Sequence, residues 1–334
     1  MSIKPKCCRF FLTPSVSPTY YNLSYHLKKQ NWTASYFAWR AHFGERHFQF
    51  DVECAQALEF KHVLAQLVAQ YCPEVMPLTY CINDYNWPSV LEKISQSNKN
   101  IIWILKPALI NNGQYLKIFE NVDQIQSHYL SSDRLGGEHV LQHYITNPHL
   151  LQGPTVGHKY SIRMFVVLTN EGAYVYPHGY FNIALQPYDM ANFTDLRGHL
   201  TNEHLLKNEL NVVQIPTQKY ELFKELYPHI KSIVCAVMAG VQQAHPLVFT
   251  PKKQSRLARL AIFGFDFMVD STQRVWLLEA NHAPCFPVEH DHPLQSVLYD
   301  AFWQAVIASF VNPIAHNQPI KLVETSVFEN CLTS

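Results

Sequence analysis

Two strongly apolar segments, residues 262–269 and 275–279, flank a short polar turn and constrain the fold more than any other feature of the chain. Segments of this length, rich in branched and aromatic residues, favour buried β-strands over helices. Antiparallel pairing, with residues 271–274 as the loop, places Asp266 opposite Glu279. Asn281 lies two residues beyond Glu279, so the alternation of side chains along a strand puts both on one face.

This predicted face carries two carboxylates and one amide oxygen on a hairpin that is otherwise apolar. Hard oxygen ligands of this kind suit Mg²⁺, which proteins hold with one or two carboxylates and the phosphate oxygens of a nucleotide. The alternative is a hairpin whose polar residues simply face water. The apolar character of both strands favours a metal site formed by Asp266, Glu279 and Asn281.

The remaining apolar pattern predicts a mixed α/β (α+β) fold. Helices are expected over residues 55–70, 88–95, 220–239 and 294–311, and further strands over residues 101–105, 116–119, 140–144, 160–169 and 174–176. Pro228 is expected to kink or break its helix. We predict an N-terminal subdomain (1–73), a central subdomain (74–150) and a C-terminal subdomain (151–334) that carries the metal site.

Three cationic residues stand at or along predicted strands. Lys106 follows the apolar run 101–105, from which an ammonium group can reach a phosphate, although a solvated strand end is the alternative. Lys159 and Arg163 share a strand face with Ser161. A guanidinium there can bind a transferring phosphoryl group, and an exposed strand face is the alternative.

Composition excludes several functional classes. Lys plus Arg and Asp plus Glu number 26 each, so no global field attracts nucleic acid or an anionic membrane, and we expect neither as a partner. No apolar run approaches the roughly 20 residues of a membrane-spanning helix. The eight cysteines form neither a CxxC pair nor a zinc-like spacing, which is typical of a reducing compartment. We therefore expect a cytoplasmic protein, with non-classical export left open.

Several short motifs occur in an order that resembles the tubulin-tyrosine ligase-like family of ATP-grasp enzymes. The motifs are WILKP at residues 103–107, KYSIR at 159–163, HLTN at 199–202 and GFDFM followed by WLLEAN at 264–268 and 276–281. The resemblance extends over about residues 74–290. It implies an ATP-grasp fold, in which a small N-terminal subdomain precedes two subdomains that hold ATP between them.

The resemblance also implies a role for each matching position. Lys106 would contact the α- and β-phosphates, and the hinge that holds adenine would consist of Gln142, His143, Tyr144 and Ile145. The catalytic residues facing the phosphates and an acyl phosphate would be Lys159 and Arg163, and the nucleotide site would be completed by Thr201 and Asn202. Mg²⁺ would be bound by Asp266, Glu279 and Asn281.

The implied function is an ATP-dependent carboxylate–amine ligase that forms an amide through an acyl phosphate. Its cofactors would be ATP and Mg²⁺. Its partners would be a small amine or amino acid and a protein or peptide acceptor, with tubulin-like proteins among the candidates. Two alternatives stay open. One is a degenerate ATP-grasp protein that binds nucleotide or a partner without ligase activity, and the other is a ligase of a small-molecule metabolite.

The chain departs from the family pattern in the loop after Lys106. That loop, residues 108–114, keeps only Gly113, whereas the resemblance predicts a loop rich in glycine and arginine. Fewer amides can approach a phosphate closely without glycine. We therefore expect weaker ATP binding or a slower lid.

A second group of departures falls where family members line the amino-acid pocket. Pro177 and Asn182 stand at arginine positions, Ser161 stands at an aspartate position, and Glu203 and His204 replace tyrosine and serine. A pocket that loses cations and gains a carboxylate should reject glutamate and prefer a neutral or basic amine. The alternative is that Arg197 or Lys207 folds in to supply the charge.

Overall fold

The computed structural model describes residues 8–96, 101–110, 113–151, 157–206, 209–249, 257–289, 291–320 and 327–332. The helices are α1 (Pro18–Lys29), α2 (Val52–Glu59), α3 (Lys61–Tyr71), α4 (Trp87–Ser95), α5 (Val122–Leu130), α6 (Leu222–Ala244), α7 (Asp300–Val306) and α8 (Asn312–Ala315). Two π-helical stretches, Gln295–Tyr299 and Ile307–Val311, flank α7.

The described strands fall into a large sheet, a small sheet, a short three-stranded sheet and a short pair. They are β1 (Arg9–Phe11), β2 (Thr33–Ala34), β3 (Phe43–Gly44), β4 (Thr79–Ile82), β5 (Trp103–Pro107), β6 (Lys117–Phe119), β7 (His139–His143), β8 (Tyr160–Thr169), β9 (Gly172–Ala184), β10 (His204–Leu206), β11 (Glu209–Leu210), β12 (Val212–Pro216), β13 (Leu260–Val269), β14 (Val275–His282) and β15 (Glu329–Asn330). The three-stranded sheet has the order β2-β1-β3, and the pair is β10-β11.

The large sheet has the order β12-β9-β8-β13-β14, and β15 pairs with the N-terminal part of β9, at Tyr174 and Val175. Both of its faces are covered, which explains why its central strands are apolar at nearly every position. Ile162 and Val166 of β8 point into a core shared with α3 and α6. Phe165 and Val167 point into a second core shared with α7. The alternation of β8 therefore divides the molecule into two apolar layers.

The small sheet has the order β4-β7-β5-β6 and is entirely antiparallel. Trp103 and Leu105 of β5 face a core formed with α4 and α5. The alternate residues, Ile104 and Lys106, line a cavity on the opposite face. One buried strand therefore supplies both packing and a functional surface.

The mixed α/β fold class predicted from the sequence is confirmed, and each predicted strand is present. The strand predicted over residues 174–176 is much longer than expected, since β9 extends from Gly172 to Ala184. The single helix predicted over residues 55–70 is wrong. Phe60 adopts an extended conformation (φ −80°, ψ 115°) between α2 and α3. The amide of Lys61, the first residue of α3, donates a hydrogen bond to the carbonyl oxygen of Ala108. At the break, a tertiary hydrogen bond therefore replaces the one that a continuous helix would form.

The helix predicted over residues 220–239 is longer than expected and runs through Pro228 without a break. An interior proline costs about 3 kcal/mol. Burial of Ile230, Val234 and Val237 against the large sheet offsets this cost, since each such side chain contributes about 1.5–3 kcal/mol.

The predicted subdomain boundaries at residues 73 and 150 stay predictions. In the part of the chain that the structure describes, no helix is long and apolar enough to cross a membrane. The cytoplasmic location stays a prediction as well.

Candidate functional site

A cavity of about 630 Å³ lies between the two sheets. Its volume falls in the usual range for small-molecule sites, about 300–1,000 Å³. The small sheet contributes residues of β5 and β7, and the large sheet contributes residues of β8, β9, β13 and β14. All twelve site residues predicted from the sequence line this cavity: Lys106, Gln142, His143, Tyr144, Ile145, Lys159, Arg163, Thr201, Asn202, Asp266, Glu279 and Asn281.

The predicted pairing of Asp266 with Glu279 is confirmed by the register of β13 and β14. The amide nitrogen of Asn281 donates to both carboxylates, at 3.2 Å from Asp266 Oδ2 and 3.1 Å from Glu279 Oε1. These three side chains, called the acidic face below, thus point to one side of the hairpin. Rotation of the Asn281 amide would turn its oxygen toward the same point.

A β-bulge produces this arrangement. Phe267 pairs with Leu277, whereas the preceding residue, Asp266, pairs with Glu279. Leu278 is the extra, unpaired residue on β14. If the strands paired regularly, Asp266 would lie opposite Leu278 instead of Glu279. Because side chains alternate with a period of two, the bulge decides which residues of β14 face the cavity.

Arg163 forms a two-pronged ion pair with Asp266. Its Nε lies 2.5 Å from Oδ1 and its Nη2 lies 2.6 Å from Oδ2. Gly264 leaves room for this side chain, since a Cβ there would lie 2.8 Å from Arg163 Cδ. Burial lowers the pKa of Arg163, but Asp266 outweighs burial and raises it well above its ordinary value. Burial also raises the pKa of Asp266 to about 6 against the opposing effect of Arg163.

Lys106 is buried and oriented by a neutral partner. Its Nζ donates to Gln142 Oε1 at 2.8 Å, and Gln142 Nε2 donates to Thr79 Oγ1 at 2.9 Å. Burial lowers the pKa of Lys106 to about 8, with Glu279 acting in the opposite direction. The Gln142 side chain is therefore engaged in fixing Lys106.

The segment 142–145 lines the cavity as the sequence predicts. The amides of His143 and Tyr144 donate to the carbonyl oxygens of Leu78 and Ile102, each at 2.8 Å. These two amides are therefore committed within the protein. The role of the segment as the adenine hinge stays a prediction.

Lys159 is the first donor in a chain of hydrogen bonds that continues through Tyr144 to His199. Its Nζ donates to Tyr144 Oη at 2.8 Å, and Tyr144 Oη lies 2.8 Å from His199 Nδ1. His199 Nε2 lies 2.9 Å from the Asn192 carbonyl oxygen, which can only accept, so Nε2 carries the proton and Nδ1 accepts from the tyrosine. Burial, and secondarily Lys106, lowers the pKa of Lys159 to about 7.

Thr201 and Asn202 connect two walls of the cavity. Thr201 Oγ1 donates to Ser161 Oγ at 2.8 Å. Asn202 contacts Gly113, where φ is +70° and an added Cβ would lie 3.1 Å from the Asn202 amide. Gly113 therefore lies close to the HLTN segment, and its positive φ favours glycine at this position.

Comparison with known proteins gives the family of the chain. The sequence model described as "Tubulin-tyrosine ligase family" matches residues 47–320. The chain belongs to the tubulin-tyrosine ligase family.

Among its curated relatives are the tubulin polyglutamylase TTLL6 of Mus musculus, the protein polyglycylase TTLL10 of Macaca fascicularis and the inactive polyglycylase TTLL10 of Homo sapiens. TTLL6 is 26% identical over 67% of this chain and 29% of its own length. The macaque protein is 27% identical over 55% of this chain and 34% of its own length, and the human protein is 26% identical over 55% and 31%. The chain thus spans about a third of the length of these relatives.

A cationic residue that lines the cavity, Lys61, was not singled out in the sequence. Lys61 Nζ donates to the Ile110 carbonyl oxygen at 3.0 Å and lies 3.5 Å from Glu279 Oε2. Burial raises the pKa of Glu279, but Lys61 and Lys106 outweigh it and lower the pKa to about 2. The available signal was the position of Lys61 on the apolar stripe of a predicted helix, three residues from both Leu58 and Leu64.

The positions that depart from the family pattern divide into two groups. Asn182, Glu203 and His204 line the cavity, so they are placed to affect substrate choice. Pro177 does not line it, and the prediction for this residue is wrong. Pro177 lies on β9 in the stretch where the register with β8 is irregular, between the pairs Met164–Gly179 and Val166–Val175.

Neither Arg197 nor Lys207, the two residues that could replace the missing arginines, is among the described residues that line the cavity. Arg197 is half exposed and pairs with Asp195, with Nη2 and Oδ2 2.7 Å apart. Lys207 lies outside the described residues. The described lining near Asn182 is instead neutral, since Gln214 Nε2 donates to Asn182 Oδ1 at 3.0 Å.

The acidic face fits a divalent cation that is shared with phosphate. Among the residues that the structure describes, no group of three or more His, Cys, Asp or Glu side chains is placed to hold a metal. The face therefore offers two carboxylates and one amide, which is too few for a closed protein site. Mg²⁺ suits such a partial set because it takes its remaining ligands from water and phosphate.

Proposed function

We propose that the chain is an ATP-dependent, Mg²⁺-requiring carboxylate–amine ligase. The observation that carries this proposal is the charge balance of the cavity lining. Four cationic side chains line the cavity, Lys61, Lys106, Lys159 and Arg163, against three carboxylates, Asp266, Glu279 and Glu203. A buried excess of positive charge is costly unless a ligand neutralises it, so the site favours a polyanion such as a nucleoside triphosphate.

The residues would divide the work in the following way. Lys106 and Lys159 would bind phosphate oxygens, and Arg163 would stabilise the charge that spreads over the transferring phosphoryl group. The acidic face would hold Mg²⁺, which supplies further neutralisation of that charge. ATP would supply the phosphoryl group that activates a carboxylate as an acyl phosphate, from which an amine displaces phosphate to leave an amide. No side-chain nucleophile is needed.

We propose a protein or peptide carboxylate as the acceptor and an amino acid or another small amine as the second substrate. The names of two relatives, a tubulin polyglutamylase and a protein polyglycylase, support a protein acceptor and make tubulin the first candidate. The neutral lining around Asn182 and the acidic Glu203 favour a neutral or basic amine over glutamate.

Intact-mass measurement tests this function. The protein is incubated with ATP, Mg²⁺, mixed amino acids and tubulin, and the acceptor is examined for adducts of amino-acid mass. We expect adducts with the parent protein and none with Glu279→Gln, which removes one charge from the acidic face at nearly constant volume. Circular dichroism serves as the control for folding. Equal adduct formation by the parent and a folded Glu279→Gln variant would contradict the assignment.

A second candidate function is nucleotide binding without ligation. It is favoured by Ser161, which stands at an aspartate position of the family pattern and so leaves the cavity with one carboxylate fewer, and by the loop after β5 with its single glycine. The name of one human relative, an inactive polyglycylase, is that of a family member without polyglycylase activity. Binding of Mg·ATP without adducts on any protein would favour this candidate, or a third, a ligase of a small-molecule metabolite.

A further inference from the structure

Lys61 lies at the junction of α2 and α3, two helices that both contact β14, the strand that carries Glu279 and Asn281. α2 ends at Glu59, and Lys61 begins α3. Both helices pack against β14, which carries Glu279. Only 8% of the Lys61 side chain is exposed. Its ammonium group is therefore largely removed from water and depends on protein groups for compensation.

Three separate parts of the molecule meet at this residue. Its amide donates to the Ala108 carbonyl oxygen at 3.3 Å, and its Nζ donates to the Ile110 carbonyl oxygen at 3.0 Å. The same Nζ lies 3.5 Å from Glu279 Oε2. Ala108 and Ile110 belong to the loop that follows Lys106. One side chain and its own amide thus connect α3, this loop and the acidic face.

Stability alone is a weak reason for such a contact. Removing two charges from water costs several kcal/mol per ion, and an apolar side chain of similar volume often stabilises a protein equally well. What the ammonium does supply is a fixed distance between the loop and Glu279. The loop needs this support because residues 108–114 contain a single glycine, so few of its amides can approach a phosphate without help.

We propose that Lys61 is a positioning residue of the cavity. It holds the loop after β5 against the acidic face, so that the phosphate groups and the metal of Mg·ATP bind to one connected unit. This inference rests on the proposed function of the cavity as an ATP site. It adds a residue from the N-terminal part of the chain to a site otherwise built from the two sheets.

Nucleotide binding by variants tests the inference. Affinities for Mg·ATP and for adenosine are measured by calorimetry with the parent, Lys61→Met, Lys61→Arg and the control Lys117→Met, and thermal unfolding is recorded for each. Lys117 is exposed on β6 and does not line the cavity. We expect Lys61→Met to bind Mg·ATP at least tenfold more weakly, with adenosine affinity and unfolding temperature retained. Lys61→Arg should recover most of the loss, and Lys117→Met should match the parent.

Two results would overturn the assignment while leaving the proposed function in place. One is parental Mg·ATP affinity in Lys61→Met. The other is an equal loss of ATP and adenosine affinity together with a lower unfolding temperature, which would identify a structural role. Failure of the parent itself to bind Mg·ATP would instead overturn the proposed function, and this inference with it.

Discussion

At the residue scale, two of the cavity lysines are held by neutral acceptors. Lys106 donates to the Gln142 amide oxygen and Lys159 donates to the Tyr144 hydroxyl group. A neutral partner orients an ammonium group without cancelling its charge. Both lysines therefore keep their electrostatic attraction for an incoming anion, and the lowered pKa of each reflects the cost of burial without one.

Replacement of Lys106 by alanine should weaken ATP binding by about 1.5–3 kcal/mol, the usual contribution of a hydrogen bond to a charged group. The measurement is calorimetry with Mg·ATP, and Lys117→Ala is the matched control because that lysine is exposed. Unchanged affinity in Lys106→Ala would mean that this buried lysine does not contact phosphate.

The affinity for Mg·ATP should fall as the pH rises through 7. In the proposed function, protonated Lys159 binds phosphate, and burial lowers its pKa to about 7 in the absence of nucleotide. A polyanion raises that pKa, so above pH 7 binding must take up a proton, and affinity falls by up to about tenfold per pH unit. Calorimetry in buffers of different ionisation enthalpy measures the uptake. Lys159→Met should remove the part of this uptake that appears just above pH 7, and an uptake identical to the parent's would contradict the assignment.

At the element scale, irregularities in the strands decide what the cavity contains. The bulge at Leu278 brings Glu279 opposite Asp266, and Pro177, which does not line the cavity, lies where the register of β8 and β9 is irregular. The absence of a side chain at Gly264 has a comparable effect, because the Arg163 side chain lies against the backbone of β13 there.

Gly264→Ala should displace Arg163 from Asp266. The added Cβ would lie 2.8 Å from Arg163 Cδ and 2.9 Å from Nη1, closer than real Cβ atoms are found. Overpacking of this kind costs about 1–3 kcal/mol in the free energy of unfolding, and ATP-dependent activity should fall further. Denaturant unfolding and the adduct assay measure the two effects. Gly136→Ala is the control, since its Cβ would meet only the Asp84 carboxylate at 3.3 Å. Equal effects of the two substitutions would show that the contact with Arg163 is unimportant.

At the scale of the whole molecule, two antiparallel sheets face each other across the cavity and contribute different chemistry. The small sheet supplies Lys106 and the 142–145 segment, and the large sheet supplies Lys159, Arg163 and the acidic face. In the proposed function, Lys106, Lys159 and Arg163 bind the phosphates, and the second substrate would bind near Asn182 and Glu203, which line the same cavity. Substrate choice would then depend on how the sheets and the HLTN segment come together.

A screen of amine substrates tests this specificity. With an acceptor identified by the adduct assay, neutral and basic amino acids should be ligated faster than glutamate, because Glu203 repels a second carboxylate and Asn182 carries no charge. The variant Glu203→Gln should ligate glutamate at a rate closer to that of neutral and basic amino acids, because it lacks the charge that repels the second carboxylate. Faster ligation of glutamate than of neutral and basic amino acids by the parent would contradict the proposed pocket.

The sequence by itself determined the strands, the acidic face and the order of the motifs. Apolar runs of strand length are local patterns, and the alternation of side chains then assigns each polar residue to a face. For that reason the position of Lys106 at the end of a buried strand could be predicted. The predicted pairing of Asp266 with Glu279 is also observed, but it is produced by the bulge at Leu278, which alternation does not predict. The motifs added the family, which the comparison confirms.

Only the tertiary structure decided the features that depend on contacts distant in sequence. The break at Phe60 follows from contacts of α2 and α3 with β14 and the loop after β5, which no pattern within residues 52–71 encodes. The inclusion of Lys61 and the exclusion of Pro177 have the same origin. Helix propensity and proline effects amount to about 1–3 kcal/mol per site, so packing against a large buried sheet overrides them wherever the two disagree.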